Sequence, residues 1–199
     1  MKDALSDEVR ENRKPGYEIH PIILNRWSSR ALSGEEMTDD DLMPLFEAAR
    51  WAPSSSNNQE WLFLYAKNNS GEWPIYFGLL SEGNQRWAKR AAVLVIVLSR
   101  KISDNGEKPI RTHSFDTGLA SENLLLEGTR RGFIAHPIGG FDRDRAMSEL
   151  NIPDVYNIEC MIVIGKKGSK DMLEEKDRVR EIPSQRKPLN DMIRKGMFG

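Results

Sequence analysis

The sequence predicts an α+β fold, an α/β sandwich in which helices cover a sheet of at least four strands. Three observations predict it. Val93 to Leu98 is an unbroken apolar run without alternation, as expected of a strand covered on both faces. Asp116 to Arg131 carries a helical spacing through Leu119, Asn123, Leu126 and Arg130. Strand-like and helix-like stretches then alternate along the chain, so helices are available for both sides of the sheet.

Residues 3–14 are highly charged and are expected to form a helix ended by Pro15 and Gly16. His20 to Trp27 read as a short amphipathic helix. Thr38 suits an N-cap, and Asp39, Asp40 and Asp41 fill a first turn where the helix dipole favours negative charge. Leu42, Leu45, Phe46 and Ala49 share one face of that helix, which Pro53 ends. Trp61 to Ala66 is expected to be a strand, and Asn84 to Arg90 a helix or helical turn. After the helix from Asp116, Gly132 offers a left-handed C-cap. Phe133 to Ile138 and Tyr156 to Ile164 supply two further strands, with an Asp142-capped helix to Leu150 between them. The charged segment from Lys166 to Arg186 is expected to run over the surface.

Composition narrows the function classes. A chain of 199 residues fits one domain with a sizeable core. Its net charge of −1 offers nucleic acid or anionic membrane no overall attraction. The apolar run from Ala91 to Leu98 is too short to span a bilayer, and acids near the N-terminus do not suit a signal peptide. A single cysteine, Cys160, excludes an intramolecular disulfide and suits a reducing compartment, so a cytoplasmic location is expected. Asn68-Asn69-Ser70 is therefore a glycosylation sequon in spelling only. His20, His113 and His136 have no metal-ligand spacing, and no metal is expected. Lys166 to Lys170 lacks the order of a phosphate-binding loop.

Two stretches carry the chemistry. Asn25-Arg26-Trp27-Ser28-Ser29-Arg30 sets two guanidiniums and a hydroxyl at alternate positions. The planar fork of arginine meets phosphate oxygens with paired hydrogen bonds and never loses its charge. Ala52-Pro53-Ser54-Ser55-Ser56-Asn57-Asn58-Gln59-Glu60-Trp61 is a polar loop between a helix and a strand, able to offer hydroxyls, an amide and backbone. Together they suit a flat, phosphorylated cofactor. Taken singly, the arginines also suit a solvated helix end, and the loop a run of turn formers.

In order and spacing these stretches resemble the FMN-dependent nitroreductase family. Its members carry an Arg-x-Ser-x-Arg/Lys element and then an Ala-Pro-Ser-Ser-x-Asn-x-Gln-Pro-Trp loop, in which this chain has Glu60 for the proline. Gly83-Asn84-Gln85, Pro137-Ile138-Gly139-Gly140-Phe141-Asp142 and Ser184-Gln185-Arg186-Lys187-Pro188-Leu189 follow in the family's order. The resemblance runs from about Ile19 to the C-terminus. It implies one FMN-binding domain over 1–199, with 1–18 an N-terminal extension and 186–199 a tail that embraces a partner. The implied fold has a central, mainly antiparallel sheet flanked by helices in an intertwined homodimer, with two FMN sites at the dimer interface.

The resemblance also assigns residues. Arg26 and Ser28, with Trp27 between them, and Arg186 would hold the FMN phosphate. Arg30 would lie near the N1/O2 edge of the ring, where a fixed cation favours the charge left by two-electron reduction. Pro53, Ser54, Ser55 and Asn57 would reach the cofactor from the partner subunit, with Ser56 facing the substrate. Asn84 would meet the pyrimidine edge. Pro137, Ile138, Gly139 and Gly140 would bring backbone to the ring, the two glycine N–H groups meeting N5 and O4. Relatives often have a lysine where this chain has Ser184, and some have one where it has Trp87. Trp87 also reads as a core residue, as does Cys160; His136, alone beside a strand end, reads as structural.

The implied activity is NAD(P)H-dependent reduction of a nitroaromatic, quinone or similar small electrophile. Donor and acceptor would use one stacking site in turn, giving ping-pong kinetics. The polar connection from Arg100 to Arg111 is short, which implies an open site. No nucleic-acid or membrane partner is expected. A flavin carrier with little turnover, or a structural dimer without cofactor, are the alternative readings.

Overall fold

The computed structural model describes residues 4–103, 106 and 108–198. Asp3 of the first expected helix, Asp104, Asn105 and Glu107 of the polar connection, and Gly199 of the tail lie outside the described residues.

The sheet is built from β1 (Trp61–Lys67), β2 (Val93–Arg100), β3 (Phe133–Ile138) and β4 (Tyr156–Lys166) in the order β1-β2-β4-β3. All three pairings are antiparallel. β2 lies in the interior of the sheet, and Val93 through Ser99 are all buried. Its side chains feed two separate cores. Leu94, Ile96 and Leu98 point into one, and Val93, Val95 and Val97 into the other. A strand buried on both faces cannot alternate apolar with polar, which explains the unbroken run.

One core is closed by α3 (Asp39–Arg50) and α6 (His113–Arg130), through Leu42, Leu45 and Ala49 on the first and Ala120, Leu124 and Leu125 on the second. The other is closed by α4 (Trp73–Leu79), α5 (Glu82–Ala88) and α7 (Arg143–Glu149). Thr38 and Asp142 cap α3 and α7 by accepting backbone N–H groups from Asp41 and Arg145. Gly132 takes the left-handed conformation after α6, with φ 84°. The short α2 (Pro21–Asn25) begins on a proline and is capped by His20, whose Nδ1 accepts from the Ile22 N–H.

Two expectations are corrected. Residues 73–79 form a helix that the sequence reading left out, entered through Pro74 in its first turn. The segment from Lys166 to Arg186 does not simply run over the surface. It holds α8 (Glu175–Arg178), and its Leu173, Asp177, Glu181 and Pro183 are buried. Arg86 of α5 pairs with Asp177 at 3.3 Å, pinning this strap beside the helix that carries Asn84 and Trp87. At the other end of the chain α1 (Asp7–Asn12) buries Val9 and leads into Arg13, itself only 8% exposed.

Candidate functional site

The end of α2 runs into extended chain at Arg26, and the strap returns beside it after α8. Between them lies a cavity of about 260 Å³ lined by Arg26, Trp27, Ser28, Arg30 and Arg186, the residues expected to share a phosphate. Arg13 and Arg180 line it too, and neither was anticipated. The reason is plain: their contribution depends on chain segments far apart in sequence, and no local motif marks them.

Five guanidiniums in so small a space need negative charge. The carboxylate of Glu122 of α6 stands 3.9 Å from Arg26 Nε, and the Arg26 side chain is only 14% exposed. No described residue accepts a hydrogen bond from the guanidinium of Arg26, Arg30 or Arg180. Burial lowers the proton affinity of Arg26; Glu122 partly offsets this, and Arg186 lowers it further. Arg13 is lowered in the same way, by burial and then by Arg186 and Arg26. Cations that crowd one another with donors to spare form an anion site.

The scaffold behind the cavity is specific. Glu181 accepts the backbone N–H groups of Arg30 and Ala31 and the Ser29 hydroxyl, fixing the strap against the Arg26–Arg30 segment. Arg186 Nη1 donates to the Ser184 hydroxyl at 3.1 Å. His136 of β3 donates from Nδ1 to the Ser29 carbonyl at 3.1 Å, and its ring stacks on Trp87 with centroids 4.8 Å apart. Burial pushes the His136 pKa down to about 4, against the hydrogen bond to Ser29 and with help from Arg30 and Arg26. His136 is thus a neutral structural ring, and Trp87, 3% exposed, is a core residue.

A second group forms where β3 ends. Asn84 Nδ2 donates to the Gly140 carbonyl at 2.9 Å, and the Ser81 N–H donates to the same oxygen. A Cβ on Gly140 would meet Asn84 Nδ2 at 2.8 Å, so a larger residue here would have to push the Asn84 amide aside. Among the described residues no acceptor takes the N–H of Gly139 or Gly140, and both glycines are exposed. Pro137 and Ile138 precede them as the last residues of β3.

The serine-rich loop forms a third group. Ser56, Asn57 and Gln59 all have positive φ, at 53°, 55° and 53°. Such strain costs about 1 kcal/mol or more per residue and collects at functional sites. The loop is held by Asp116 of α6, which accepts the Ser55 N–H at 2.9 Å, and by Ser54 Oγ, which accepts the Gln59 N–H. No local motif marks this role of Asp116. Pro53, Ser54, Ser55, Ser56 and Asn57 do not line the arginine cavity of their own chain. Glu60, at the loop's end, is 1% exposed with neither carboxylate oxygen hydrogen-bonded to a described residue.

A hydrolase-like arrangement is absent where it is most suggested. Ser99 lies between His113 Nδ1, at 2.7 Å, and Glu159 Oε1, at 2.5 Å, so its proton goes to the carboxylate and not to the imidazole. Ser99 is also fully buried. Among the described residues no His, Cys, Asp and Glu side chains are grouped to hold a metal ion, and no helix is long and apolar enough to cross a membrane.

Comparison with known proteins identifies the family and the fold. The family model described as the Nitroreductase family matches residues 23–72 and 72–166. A crystal structure of an oxidoreductase containing FMN is 44% identical, covering 94% of this chain and 96% of its own, with a TM-score of 0.91. A protein of Archaeoglobus fulgidus, provisionally named an NADH dehydrogenase/NAD(P)H nitroreductase, is 27% identical over 79% of this chain and 90% of its own. A provisionally named nitroreductase from Desulfovibrio desulfuricans, solved in complex with FMN, shares the fold at 21% identity over 92% of this chain and all of its own, with a TM-score of 0.70.

Proposed function

The chain belongs to the nitroreductase family, and from that premise we propose that it is an FMN-dependent oxidoreductase that uses NAD(P)H to reduce a nitroaromatic, quinone or similar small electrophile. The observation that carries this reading is the arginine cavity. Arg26, Ser28 and Arg186, drawn from two ends of the chain, converge on a space in which the guanidiniums of Arg26, Arg30 and Arg180 donate no hydrogen bond to a described residue. A flavin phosphate would supply the missing charge. The 44%-identical structure is of an oxidoreductase containing FMN, which supports the same ligand here.

When held there, FMN would supply the two-electron chemistry that links NAD(P)H oxidation to reduction of the acceptor. The protein's own residues bind, orient and polarise. Arg26, Ser28 and Arg186 would anchor the phosphate, with Trp27 lining the same cavity. Arg30, held by Glu181 through its backbone, sets a fixed cation beside the ring. The free N–H groups of Gly139 and Gly140, presented after Pro137 and Ile138, supply donors to the ring edge, and Asn84 a side-chain amide.

A homodimer completes the site on this reading. Pro53, Ser54, Ser55 and Asn57 do not reach their own chain's cavity, so they would serve the partner's cofactor, and Ser56 its substrate. The tail points the same way: Met192, Ile193, Met197 and Phe198 stand 55–102% exposed, more apolar surface than a lone chain leaves uncovered. One shared ring face implies ping-pong kinetics. The lone cysteine suits a cytoplasmic enzyme acting as one domain over 1–199.

The test is spectroscopic, then kinetic. Purified protein should show flavin absorbance, or acquire it with added FMN, and should oxidise NADH or NADPH faster than free FMN does when a quinone or nitroaromatic is present. A protein that stays colourless with FMN defeats the reading; one that binds FMN without turnover is a carrier.

A further inference from the structure

Resting on that phosphate reading, we propose that Arg13, supplied by the N-terminal extension, is a phosphate-binding residue that also clasps together the two segments forming the phosphate pocket. Arg13 lies outside the stretch that the family model matches, yet its guanidinium lines the cavity with those of Arg26 and Arg186. Its Nε donates to the Ser184 carbonyl at 3.1 Å, and its Nη1 to the carbonyls of Leu24 and Arg26 at 2.5 and 2.9 Å. One side chain thus ties the early segment that carries Arg26 to the late one that carries Arg186. Nη2 has no acceptor among the described residues and remains for a ligand.

The extension is built to hold this side chain in place. Val9 is fully buried, Lys167 pairs with Glu8, and Asn25 bonds the chain at both Ser6 and Ala4. Lys14 N–H reaches Gln185 Oε1 at 3.4 Å. A purely structural staple would not need to sit among like charges. Arg13 does: burial first, then Arg186 and Arg26, lower its proton affinity, so the clasp costs free energy until an anion arrives. A phosphate dianion offsets that repulsion, and its binding should draw the extension, the Arg26 segment and the strap tighter together.

Riboflavin, which has the ring but no phosphate, separates the two roles. In fluorescence titrations Arg13→Gln should weaken FMN by about tenfold or more, the loss of one charge-assisted contact, while riboflavin affinity changes little. Amide exchange on the unaltered protein provides the second measurement, independent of whether the variant folds: FMN should slow exchange over residues 7–14, and riboflavin should not. Equal loss of both flavins, no loss of either, or exchange over 7–14 indifferent to FMN overturns the proposal. If the unaltered protein binds FMN no better than riboflavin, the phosphate reading itself fails and takes Arg13 with it. An FMN preference over riboflavin that is undiminished in Arg13→Gln defeats the Arg13 role alone.

Discussion

The carboxylate of Glu181 accepts the N–H of Ala31 at 3.1 Å across 150 residues of chain, while it also accepts the Arg30 N–H and the Ser29 hydroxyl. Glu181 is 8% exposed, so water cannot readily replace it. The contact sets the Arg26–Arg30 segment in register with the strap, which is what brings Arg26 and Arg186 to one cavity. Glu181→Ala should cost about 2–4 kcal/mol, because buried donors lose their only acceptor. Glu181→Gln keeps one oxygen and should cost about half as much. Urea unfolding would rank the three proteins, and an alanine variant as stable as its parent would show that the clasp carries no energy.

Arg26→Ala and Arg186→Ala should each weaken FMN by about 1.5–3 kcal/mol, the range for a hydrogen bond to a charged group. Because the two side chains share one anion, their effects should not add. Arg186 lowers the proton affinity of both Arg13 and Arg26, so removing it relieves repulsion in the flavin-free protein. The melting temperature of Arg186→Ala without flavin should therefore hold or rise even as FMN binding falls. Isothermal titration beside a thermal melt gives both numbers; unchanged FMN affinity in both variants would remove the phosphate from this cavity.

His136 makes stability depend on pH. Its pKa in the fold is about 4 against an ordinary 6.5, with burial the leading cause. Above 6.5 the ring is neutral whether the chain is folded or not, and nothing is lost. As pH falls below 6.5 the unfolded chain takes up a proton that the folded chain refuses, so stability declines until the folded ring also titrates near 4. The full loss is about 3 kcal/mol. His136→Gln should flatten the stability profile between pH 6.5 and 4, while the unaltered protein slopes downward toward acid. Parallel profiles would mean that the ring is protonated in the fold.

The parts of the fold legible in the sequence were those whose signal is local. The unbroken run of β2, the Thr38 cap of α3 and the periodicity of α6 each reflect burial by neighbouring elements. The strap was misread because its four buried residues, Leu173, Asp177, Glu181 and Pro183, are scattered among exposed charges with no single period. Helix α4 has only seven residues, too few to show a clear period, and it begins with proline in its first turn. For the site, Arg26, Ser28, Arg30 and Arg186 were found through a motif, and the structure brings them together. Arg13, Arg180 and Asp116 carry no local motif: Arg180 joins a cavity lined by both ends of the chain, Asp116 holds Ser55, sixty-one positions away, and Arg13 bonds Leu24, eleven positions away. That distance is also why Arg13 escapes any reading that begins at Ile19.

Gly140→Ala tests the ring end of the site separately from the phosphate end. A Cβ there would lie 2.8 Å from Asn84 Nδ2 and 3.0 Å from Ser81 Oγ, too close for either to remain. Both atoms end flexible side chains, so they can swing aside, and the fold should lose only about 1 kcal/mol, the worth of the Asn84 bond to the Gly140 carbonyl. The displaced Asn84 amide, however, would no longer meet the pyrimidine edge. That edge is common to FMN and riboflavin, so Gly140→Ala should weaken both by a similar factor, whereas the arginine variants should weaken FMN alone. Paired titrations of the two flavins against Gly140→Ala and Arg26→Ala decide the matter. Were Gly140→Ala to weaken only FMN, the ring would not lie against Asn84 and the end of β3, and the two halves of the site would have to be assigned anew.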